Sequence, residues 1–554
     1  MSISVPRYIT SFVAATAMTL GLGGLEAARE PASAAGPESP NVLIILTDDQ
    51  RPFDTMLPEV MPETLRRFGA EGTTFPNAFA TTPLCCPGRA GLLTGQFAHN
   101  NGVRTNGSVE NLGDHGTTLQ RHLEDAGYQT ALTGKFLNQW KIEDNPPHWD
   151  RWSMMDPGPD QFNTQWNIDG IQQTVTEYST DFTAQRSVDY LTEFNTPATD
   201  DQPWFLYVNP YSPHAPYQPA PEYANAPVPP WSGNPAVFES NKKDKPPYVK
   251  KAKRDLATAQ AIRDPQLRML MSVDDMVEDI FDALEAEGEL ENTIAFFLSD
   301  NGFLWSDHGL GGKNEPYLPS VQIPFYVRWP GHISPGVVDT RLVANIDVAP
   351  TVLDAAGEGG PPDADGVSLL RPGTRTKMLA EAWNRGAIGG WASIITPRYQ
   401  YIETYEDDSV TVAHRQLYSL TKDPYQLRNL LGDNRVRNDS DARGLRREVR
   451  EGRSCGVPGR PSCEEVLTDR VALCQNSEET RANHVVGGLR RDMLRGSRRV
   501  DLLCGFAGKD TMRAGRGNDT LLGGAGRDTM LGGRGKDRCK GGPRPDVARG
   551  CERK

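Results

Sequence analysis

A cysteine at the predicted start of a helix is the residue best placed to do chemistry in this chain. Cys85 opens the run CCPGRAGLLTG, which ends at Gly95. Pro87 suits the first turn of a helix, where its missing N–H leaves no hydrogen bond unmade. The free amides and the dipole at a helix N-terminus favour a bound anion. The pattern therefore predicts a nucleophile that hydrolyses a negatively charged ester.

Oxygen ligands follow two short apolar runs, 41–46 and 293–298, which predict buried parallel strands. The candidate ligands of one divalent cation are Asp48, Asp49, Asp300 and Asn301. Carboxylate and amide oxygens suit such a cation. Because ligands of doubly wound sheets bind beyond the carboxyl ends of the strands, these four side chains can meet there. For any single acid among them, helix capping is the alternative.

Two more apolar runs predict strands of the same sheet. They are 129–133, which leads to Lys135, and 204–208, which leads toward His214. Helical patterns lie between the predicted strands, for example at 269–287. This alternation predicts a doubly wound α/β fold whose basic and acidic groups converge on one pocket.

The run that begins at Cys85 resembles the signature Cys-x-Pro-x-Arg-x-x-x-Leu-Thr-Gly of the formylglycine-dependent sulfatases. The Cys85–Cys86 doublet and the segment 97–103 are similar to the N-acetylglucosamine-6-sulfatase and extracellular endosulfatase branch. Gly88 departs from the pattern, because the family usually has serine there. The alternative for Cys85 and Cys86 is a buried pair packed as small hydrophobic residues, or a pair open to disulfide exchange.

The resemblance implies that a formylglycine-generating enzyme oxidises Cys85 to formylglycine. Hydrated formylglycine then attacks the sulfur of a sulfate monoester, and Arg89 steadies the hydrated group. The family's sulfate-binding lysines match Lys135 and Lys313, and His214 matches the histidine that helps to protonate the leaving oxygen. The matching metal positions hold calcium, sometimes magnesium. An isolated lysine or histidine is more often surface or structural, so these roles depend on the motif.

Three further residues are candidates for binding substrate. Many arylsulfatases have a histidine two residues after the first lysine, but this chain has Leu137 there, followed by Asn138. We expect Asn138 to line the site by hydrogen bonding. His99 and His308 are candidate proton carriers, and a structural role is the alternative for each.

The N-terminus and the cysteines predict export. Arg7 precedes an apolar run at 9–25 and small residues after it, which predicts a secretory signal peptide over 1–35. An uncleaved membrane anchor is the alternative, and we expect no stable membrane span elsewhere. Six of the eight cysteines lie beyond residue 450. Their even number favours disulfides outside the cell, although the sequence leaves their pairing open.

The chain of 554 residues is long enough for several domains. We expect an alkaline-phosphatase-like α/β domain with a doubly wound sheet at 36–370. A smaller, mostly antiparallel α+β subdomain follows at 371–433, where aromatic residues alternate with polar ones. A connector is predicted at 434–486 and a repeat domain at 487–554.

Aspartates recur every nine residues in the repeat domain, with an apolar or small residue two places after each. This period fits the calcium-binding nonapeptide β-roll, in which glycines allow tight turns and aspartates bind calcium. The predicted calcium ligands are Asp501, Asp510, Asp519, Asp528 and Asp537. The net charge is −13, yet residues 487–554 contain 17 Lys and Arg against 8 Asp and Glu. A flexible basic tail that binds polyanions without calcium is therefore the alternative.

These features together predict a secreted sulfatase that acts on a sulfated carbohydrate or another sulfate ester. The nearest alternative is a phosphonate monoester or phosphodiester hydrolase, which can share the nucleophile and metal residues. A calcium-dependent binding protein with an inactive sulfatase-like domain is an alternative of another class. We expect no nucleic acid partner. The specific substrate, exo or endo action, export route and oligomeric state stay open.

Overall fold

The computed structural model describes residues 39–52, 54–158, 160–196, 202–361, 363–371, 375–385, 388–432, 440–455, 463, 483–486, 493–505, 507–523, 525–541 and 546–552. The predicted signal peptide at 1–35 and most of the predicted connector lie outside these residues. Within the described ranges, no helix combines the length and the apolar character needed to cross a bilayer.

A mixed ten-stranded sheet holds the four strands that the sequence predicts. Its five central strands are parallel to one another, and the outer strands are mostly antiparallel. In spatial order the strands are Val337–Val338, Thr73–Thr74, Phe325–Arg328, Thr293–Ser299, Asn41–Thr47, Trp204–Asn209, Gln129–Lys135, Arg151–Asp156, Thr164–Ile168 and Ile171–Val175. The predicted doubly wound sheet is confirmed, with antiparallel strands added at both edges.

The central strands read as continuous apolar runs because both of their faces are covered. Every residue of the strand Asn41–Thr47 is buried. Val42, Ile44 and Leu46 join the hydrophobic core on one face of the sheet, whereas Leu43 and Ile45 join the core on the other. This alternation follows from the two-residue period of a strand.

Helices cover both faces. The helices Cys85–Thr94, Leu119–Asp125 and Val348–Ala355 contribute to the first core. The helices Ser179–Phe194 and Leu256–Glu287 contribute to the second. Short helical segments connect the main elements at Pro62–Thr64, Leu65–Ala70, Ala98–Asn101, Val109–Leu112, Pro247–Lys251, Leu290–Asn292, Asp307–Gly309, Leu318–Val321 and Asn345–Asp347. Two-stranded sheets pair Leu304–Trp305 with Gly311–Gly312 and Val343–Ala344 with Ala78–Phe79.

The longest helix begins thirteen residues before its predicted start. It runs over Leu256–Glu287, and the Asp255 side chain caps it by accepting a hydrogen bond from the Thr258 N–H. Pro265 lies inside the helix. An internal proline usually ends a helical pattern, which is why the sequence indicates only the C-terminal part.

An antiparallel four-stranded sheet forms the smaller subdomain, as predicted. Its strands, in spatial and chain order, are Met378–Arg385, Ile388–Ile395, Tyr399–Tyr405 and Val412–Ser419. The helix Ser440–Gly452, which falls in the predicted connector, packs on this sheet through Ala442 and Val449. Trp391 is buried in the same core.

The repeats form a β-roll, as predicted. One parallel sheet contains Asn483–Val486, Asp501–Cys504, Thr520–Leu522 and Arg538–Lys540, and the other contains Met493–Arg495, Thr511–Arg516, Thr529–Arg534 and Val547–Arg549. Ala507–Gly508 pairs with Ala525–Gly526. Partner strands are eighteen residues apart, as in the register of Leu503 with Leu521, so each turn contains two nonapeptides.

The structure also gives disulfide pairings that the sequence leaves open. Cys455 is bonded to Cys463, and Cys539 is bonded to Cys551. Cys504 is also disulfide-bonded. Cys85 and Cys86 are buried free thiols, which agrees with their position outside the predicted disulfide region.

The first turn of the Cys85 helix packs tightly against the segment that follows the strand Thr293–Ser299. A Cβ atom added at Gly88 would lie 2.4 Å from the Asp300 carbonyl oxygen. Real Cβ atoms do not approach a carbonyl so closely. In this chain, the glycine that departs from the family pattern therefore lies where the backbone leaves no room for a side chain.

We expect Gly88→Ala to lower the free energy of unfolding by about 1–3 kcal/mol, because the added methyl group must push the Asp300 segment away. Gly444→Ala is the matched control, since a Cβ there meets nothing within 4 Å and alanine favours a helix. Denaturant unfolding of both variants checks this. Equal stability of Gly88→Ala and the parent chain would contradict the tight packing.

The apolar interior of the roll gives a second prediction. Leu521 is fully buried in a stack with Leu503, Met512 and Met530. We expect Leu521→Ala to destabilise the roll by about 2–5 kcal/mol and to speed tryptic cleavage within 493–552. Leu522→Ala is the control, because this neighbouring side chain is only half-buried. Equal cleavage rates for the two variants would show that the stack does not support the roll.

Candidate active site

The predicted oxygen ligands meet at the carboxyl edge of the central sheet. Thr47 is paired with Ser299 in parallel register, so the residues that follow them emerge side by side. The Asp300 N–H donates to the Thr47 carbonyl at 3.1 Å, and the Asp49 N–H donates to Asp300 Oδ1 at 3.3 Å. The backbone thus connects the two strand ends directly.

Cys85 is the first residue of its helix and faces this edge. Its Sγ lies 3.5 Å from Asp48 Oδ1, and Lys313 Nζ donates to Sγ at 2.7 Å. Burial and the nearby Asp48 carboxylate raise the pKa of the Cys85 thiol to about 12. At neutral pH the unmodified thiol is therefore almost entirely protonated and a weak nucleophile.

Arg89 lies one turn after Cys85 and connects four strand ends. Its Nε donates to Asp300 Oδ2 at 2.9 Å, and its Nη2 lies 3.3 Å from Asp48 Oδ2. Its Nη1 donates to the Lys135 carbonyl at 2.9 Å and to Asn209 Oδ1 at 3.1 Å. Burial opposes the charge, but Asp300 and Asp48 raise the pKa of Arg89. Arg89 thus positions the site rather than facing solvent.

Lys135 lies at the end of its strand and belongs to the same polar cluster. The members of this cluster are Asp48, Asp49, Cys85, Arg89, Lys135, His214, Asp300, Asn301 and Lys313. Its Nζ contacts Asp48 Oδ2 and lies 5.5 Å from the centre of the Tyr211 ring. Burial disfavours its charge, but Asp48 raises the pKa of Lys135 overall. Gly134 precedes it with φ of 84°, where a Cβ would lie 2.0 Å from the Asn209 carbonyl oxygen. Only glycine suits this close approach.

Lys313 and His214 lie nearest to solvent. Lys313 Nζ is 2.5 Å from Asp49 Oδ1, and His214 Nε2 is 3.6 Å from Asp49 Oδ2. The His214 side chain is 25% exposed and that of Lys313 15%, whereas that of Asp48 is fully buried. The His214 Nδ1–H donates to the Ala215 carbonyl at 2.6 Å, which leaves Nε2 as the ring atom that faces the cluster. The site therefore opens on the side of these two residues.

The four predicted metal ligands fit a divalent cation. Two of them, Asp48 and Asp49, have carboxylate oxygens within 4.8 Å of one another and of the ligand atoms of Cys85 and His214. Asn301 Nδ2 donates to Asp49 Oδ1 at 2.7 Å, and among the described residues its buried Oδ1 has no hydrogen-bond partner. Asp49 has a φ of 67°, a strained value for a residue with a side chain. Hard oxygen donors and an unsatisfied amide oxygen match the ligand preference of calcium or magnesium.

Electrostatics at these carboxylates agree with that fit. Burial raises the pKa of Asp48, but Lys135, His214, Lys313 and Arg89 together lower it. Burial and the neighbouring Asp48 charge raise the pKa of Asp300. A bound cation would relieve the repulsion between these two acids.

Two of the predicted substrate-binding residues do not join the cluster. His99 Nδ1 lies 2.6 Å from Glu381 Oε1, and its Nε2 lies 3.1 Å from the Cys455 carbonyl oxygen. Both ring nitrogens therefore have hydrogen-bond partners outside the cluster. His308 is buried with its Nδ1 2.6 Å from Glu239 Oε2. In the described part of the chain, neither ring bonds to a cluster residue. These contacts favour the structural alternative, and a proton-carrier role for either histidine stays a prediction.

Asn138 lies beside the Cys85 helix. Its carbonyl oxygen is 3.7 Å from Cys86 Sγ, and its buried Oδ1 has no hydrogen-bond partner among the described residues. A substrate-binding role for Asn138 stays a prediction, with an acceptor atom available for it.

Sequence reasoning missed three polar residues around the cluster. Asn209 binds Arg89, Tyr211 flanks Lys135, and Asn106 Oδ1 accepts a hydrogen bond from the Cys86 N–H at 3.0 Å. Asn209 directly follows the predicted strand 204–208, so its place at the carboxyl edge is the available signal. Asn106 and Tyr211 lie in loops without a recognisable pattern.

The five predicted calcium ligands of the roll are all buried. Each N–H of Asp501, Asp510, Asp519 and Asp528 donates to Oδ1 of the aspartate eighteen residues later. Oδ2 of Asp537 is buried without a hydrogen-bond partner among the described residues, and a Cβ at Gly532 would lie 2.5 Å from it. Burial and the nearby Asp546 raise the pKa of Asp528. Stacked carboxylates beside glycine turns fit calcium.

Three family models match the chain. The model described as Sulfatase matches residues 40–358, and that described as N-sulphoglucosamine sulphohydrolase, C-terminal, matches 306–451. The model of the RTX calcium-binding nonapeptide repeat matches 505–539. The first match extends over more than half of the sequence.

Curated relatives agree with the first match. The chain is 32% identical over 356 residues to a putative extracellular sulfatase Sulf-1 homolog of Caenorhabditis elegans, which covers 60% of this chain and 48% of the worm protein. It thus spans about half the length of that relative. It is 30% identical over 461 residues to N-acetylglucosamine-6-sulfatase of Capra hircus, which covers 72% of this chain and 81% of the goat protein.

A solved structure shares the fold. It is a protein in complex with its substrate D-glucosamine-2-N,6-O-disulfate, and it superimposes with a TM-score of 0.64 over 76% of this chain and 99% of its own, at 22% identity. Together with the family match over 40–358, which includes Cys85 and all four oxygen ligands, these likenesses assign the family. The chain belongs to the sulfatase family.

Proposed function

We propose that this protein is a secreted sulfatase that hydrolyses sulfate monoesters of a sulfated carbohydrate through formylglycine at position 85. The observation that carries the proposal is the position of Cys85 at a helix N-terminus, in contact with Asp48 and Lys313 and one helical turn from Arg89. An unmodified thiol with a pKa near 12 is poorly suited to attack, which supports conversion of Cys85. When present, formylglycine supplies an oxygen nucleophile in place of the thiol.

The cationic side chains suit a sulfate group. Lys135 and Lys313 bring positive charge close to Cys85, where they would neutralise the sulfate oxygens. Asp48, Asp49, Asp300 and Asn301 would hold the divalent cation, which supplies further positive charge when bound. The removal of water from this buried cluster strengthens these electrostatic interactions.

His214 is the residue placed to handle a proton. Its Nδ1–H is held by the Ala215 carbonyl, so Nε2 is the nitrogen that exchanges protons with the site. The ring is partly exposed, so a substrate could reach it from solvent. We propose that Nε2 protonates the leaving oxygen of the substrate.

The substrate class and the location rest on relatives. N-acetylglucosamine-6-sulfatases and extracellular sulfatases are similar over most of the α/β domain, which supports a sulfated sugar as substrate and an extracellular location. The predicted signal peptide at 1–35 supports the same location. We further propose the division into an α/β domain at 36–370, a subdomain at 371–433, a connector at 434–486 and a roll at 487–554.

Conversion of Cys85 is tested by mass spectrometry. In protein secreted from a host that has a formylglycine-generating enzyme, we expect the tryptic peptide with Cys85 to be about 18 Da lighter than the thiol form. Cys85→Ala should abolish sulfate release from 4-nitrophenyl sulfate. Cys86→Ala is the matched control, because its thiol is buried beside Cys85 but has no proposed chemical role.

Sulfate release by Cys85→Ala would refute the proposed nucleophile. Parallel assays with an aryl phosphodiester and an aryl phosphonate monoester test the alternative activity of the superfamily. Faster hydrolysis of either compound than of the sulfate ester would favour that alternative. Absence of all three activities in protein that contains formylglycine would favour a binding protein.

Calcium in the roll is tested by its effect on stability. Because burial of stacked aspartates is costly without a cation, we expect Ca²⁺ at about 100 times its dissociation constant to stabilise the roll by about 2.7 kcal/mol. The measurement is the rate of tryptic cleavage within 493–552 in Ca²⁺ and in EGTA, with Mg²⁺ as the control cation. Equal cleavage in all three buffers would favour the flexible basic tail.

A further inference from the structure

A cavity lined by arginines lies between the segment that contains His99 and the smaller subdomain. Its volume is about 740 Å³, which is within the range of pockets that bind small ligands. Four arginines line it: Arg104, Arg446, Arg450 and Arg453. Arg104 comes from the loop after the helix Ala98–Asn101, and the others come from the helix Ser440–Gly452 and the residue that follows it.

The positive charge of this cavity is not balanced by acids. Glu403 is the one carboxylate among the described lining residues. It lies 3.8 Å from Arg446 and 3.3 Å from Arg415, which is outside the lining. Within the described residues, Arg104, Arg450 and Arg453 form no ion pair. Three guanidinium groups thus face the cavity without an anionic partner.

Aromatic rings hold two of these guanidinium groups in place. Arg104 Cζ lies 5.1 Å from the ring centre of Trp383, and Arg453 Cζ lies 4.3 Å from that of Tyr405. Stacking uses the flat face of a guanidinium and leaves its N–H donors at the edge. Backbone carbonyls accept hydrogen bonds at 3.4 Å from one nitrogen of Arg104 and from two nitrogens of Arg453, and the remaining N–H groups are available to a ligand. Such an arrangement orders the donors in advance for a planar or tetrahedral oxyanion.

Two hydrogen bonds connect the segments that line the cavity with the segments beside the proposed nucleophile. Asn106 Oδ1 accepts a hydrogen bond from the Cys86 N–H, and Arg104 is two residues earlier, so their Cα atoms are at most about 7 Å apart. On the other side, the Glu381 N–H donates to the Thr81 carbonyl, and Trp383 is two residues later. A ligand longer than one sugar ring could therefore extend from the site toward the cavity.

We propose that the arginine cavity binds a second anionic group, a sulfate or carboxylate, on the same carbohydrate whose sulfate ester is cleaved at position 85. This inference rests on the proposed function, and it specifies the substrate as a polyanionic oligosaccharide. Arginine is the residue best suited to bidentate recognition of such groups.

The kinetic test compares two substrates on four variants. The substrates are 4-nitrophenyl sulfate and a sulfated disaccharide that carries a uronic acid carboxylate. We expect Arg104→Gln and Arg450→Gln each to lower kcat/KM for the disaccharide about tenfold more than for the aryl sulfate. Arg447→Gln is the matched control, since Arg447 lies on the same helix, is 55% exposed and pairs with Glu448. Arg450→Lys should restore part of the loss.

A binding assay separates failure of this inference from failure of the proposed function. Calorimetry of the same disaccharide with Cys85→Ala needs no catalysis, and adding Arg104→Gln and Arg450→Gln to it should weaken binding at least tenfold. Equal binding with and without these two substitutions would overturn the cavity as a subsite, as would equal losses of kcat/KM on both substrates. If the parent chain cleaves no ester but the two arginine substitutions still weaken binding to Cys85→Ala, the cavity is supported and only the sulfatase activity is refuted.

Discussion

Burial of opposite charges at the carboxyl edge of the sheet is the constraint on which the site depends. Arg89 is fully buried between Asp48 and Asp300, which follow neighbouring strands. Removing one partner from a buried pair typically costs about 3–5 kcal/mol, because the other charge stays buried and unpaired. The Cys85 helix can therefore occupy one position only, with Arg89 over the two strand ends. The place of Cys85, one turn earlier on the same face, follows from this ion pairing.

Backbone geometry supports the same arrangement. The register of Thr47 with Ser299 puts two acidic segments side by side, and glycine at positions 88 and 134 lets neighbouring chains approach to distances that a side chain would prevent. The cluster thus combines three buried acids with two buried bases, Arg89 and Lys135, and the partly exposed Lys313. Such a set is costly to assemble without hydrogen bonds, and Asn209 and Asn301 supply several of these. Stability and site geometry share the same contacts.

Sequence patterns predicted most of the elements that carry this cluster, because buried parallel strands are continuous apolar runs. The residues at their carboxyl ends could be expected to meet for topological reasons. The start of the helix Leu256–Glu287 could not be predicted across Pro265. The hydrogen bonds of His99 and His308 could not be predicted, since their partners Glu381 and Glu239 lie 282 and 69 positions away. No local pattern reports such tertiary contacts. The roll was predictable because two of its nine-residue sequence periods form one eighteen-residue turn of the structure.

Charge balance distinguishes three regions of the molecule. In the cluster around Cys85, acids and bases neutralise one another almost completely within the protein. In the roll, buried aspartates eighteen residues apart are stacked on one another. In the arginine cavity, several guanidinium groups line the same space. Like charges that face each other raise the free energy of the folded chain. A bound ion of opposite charge would lower this free energy, both for the aspartates of the roll and for the arginines of the cavity. The aspartates of the roll are suited to bind cations, and the arginines of the cavity are suited to bind anions. A polyanionic substrate can occupy the cavity while its sulfate ester reaches the cluster around Cys85.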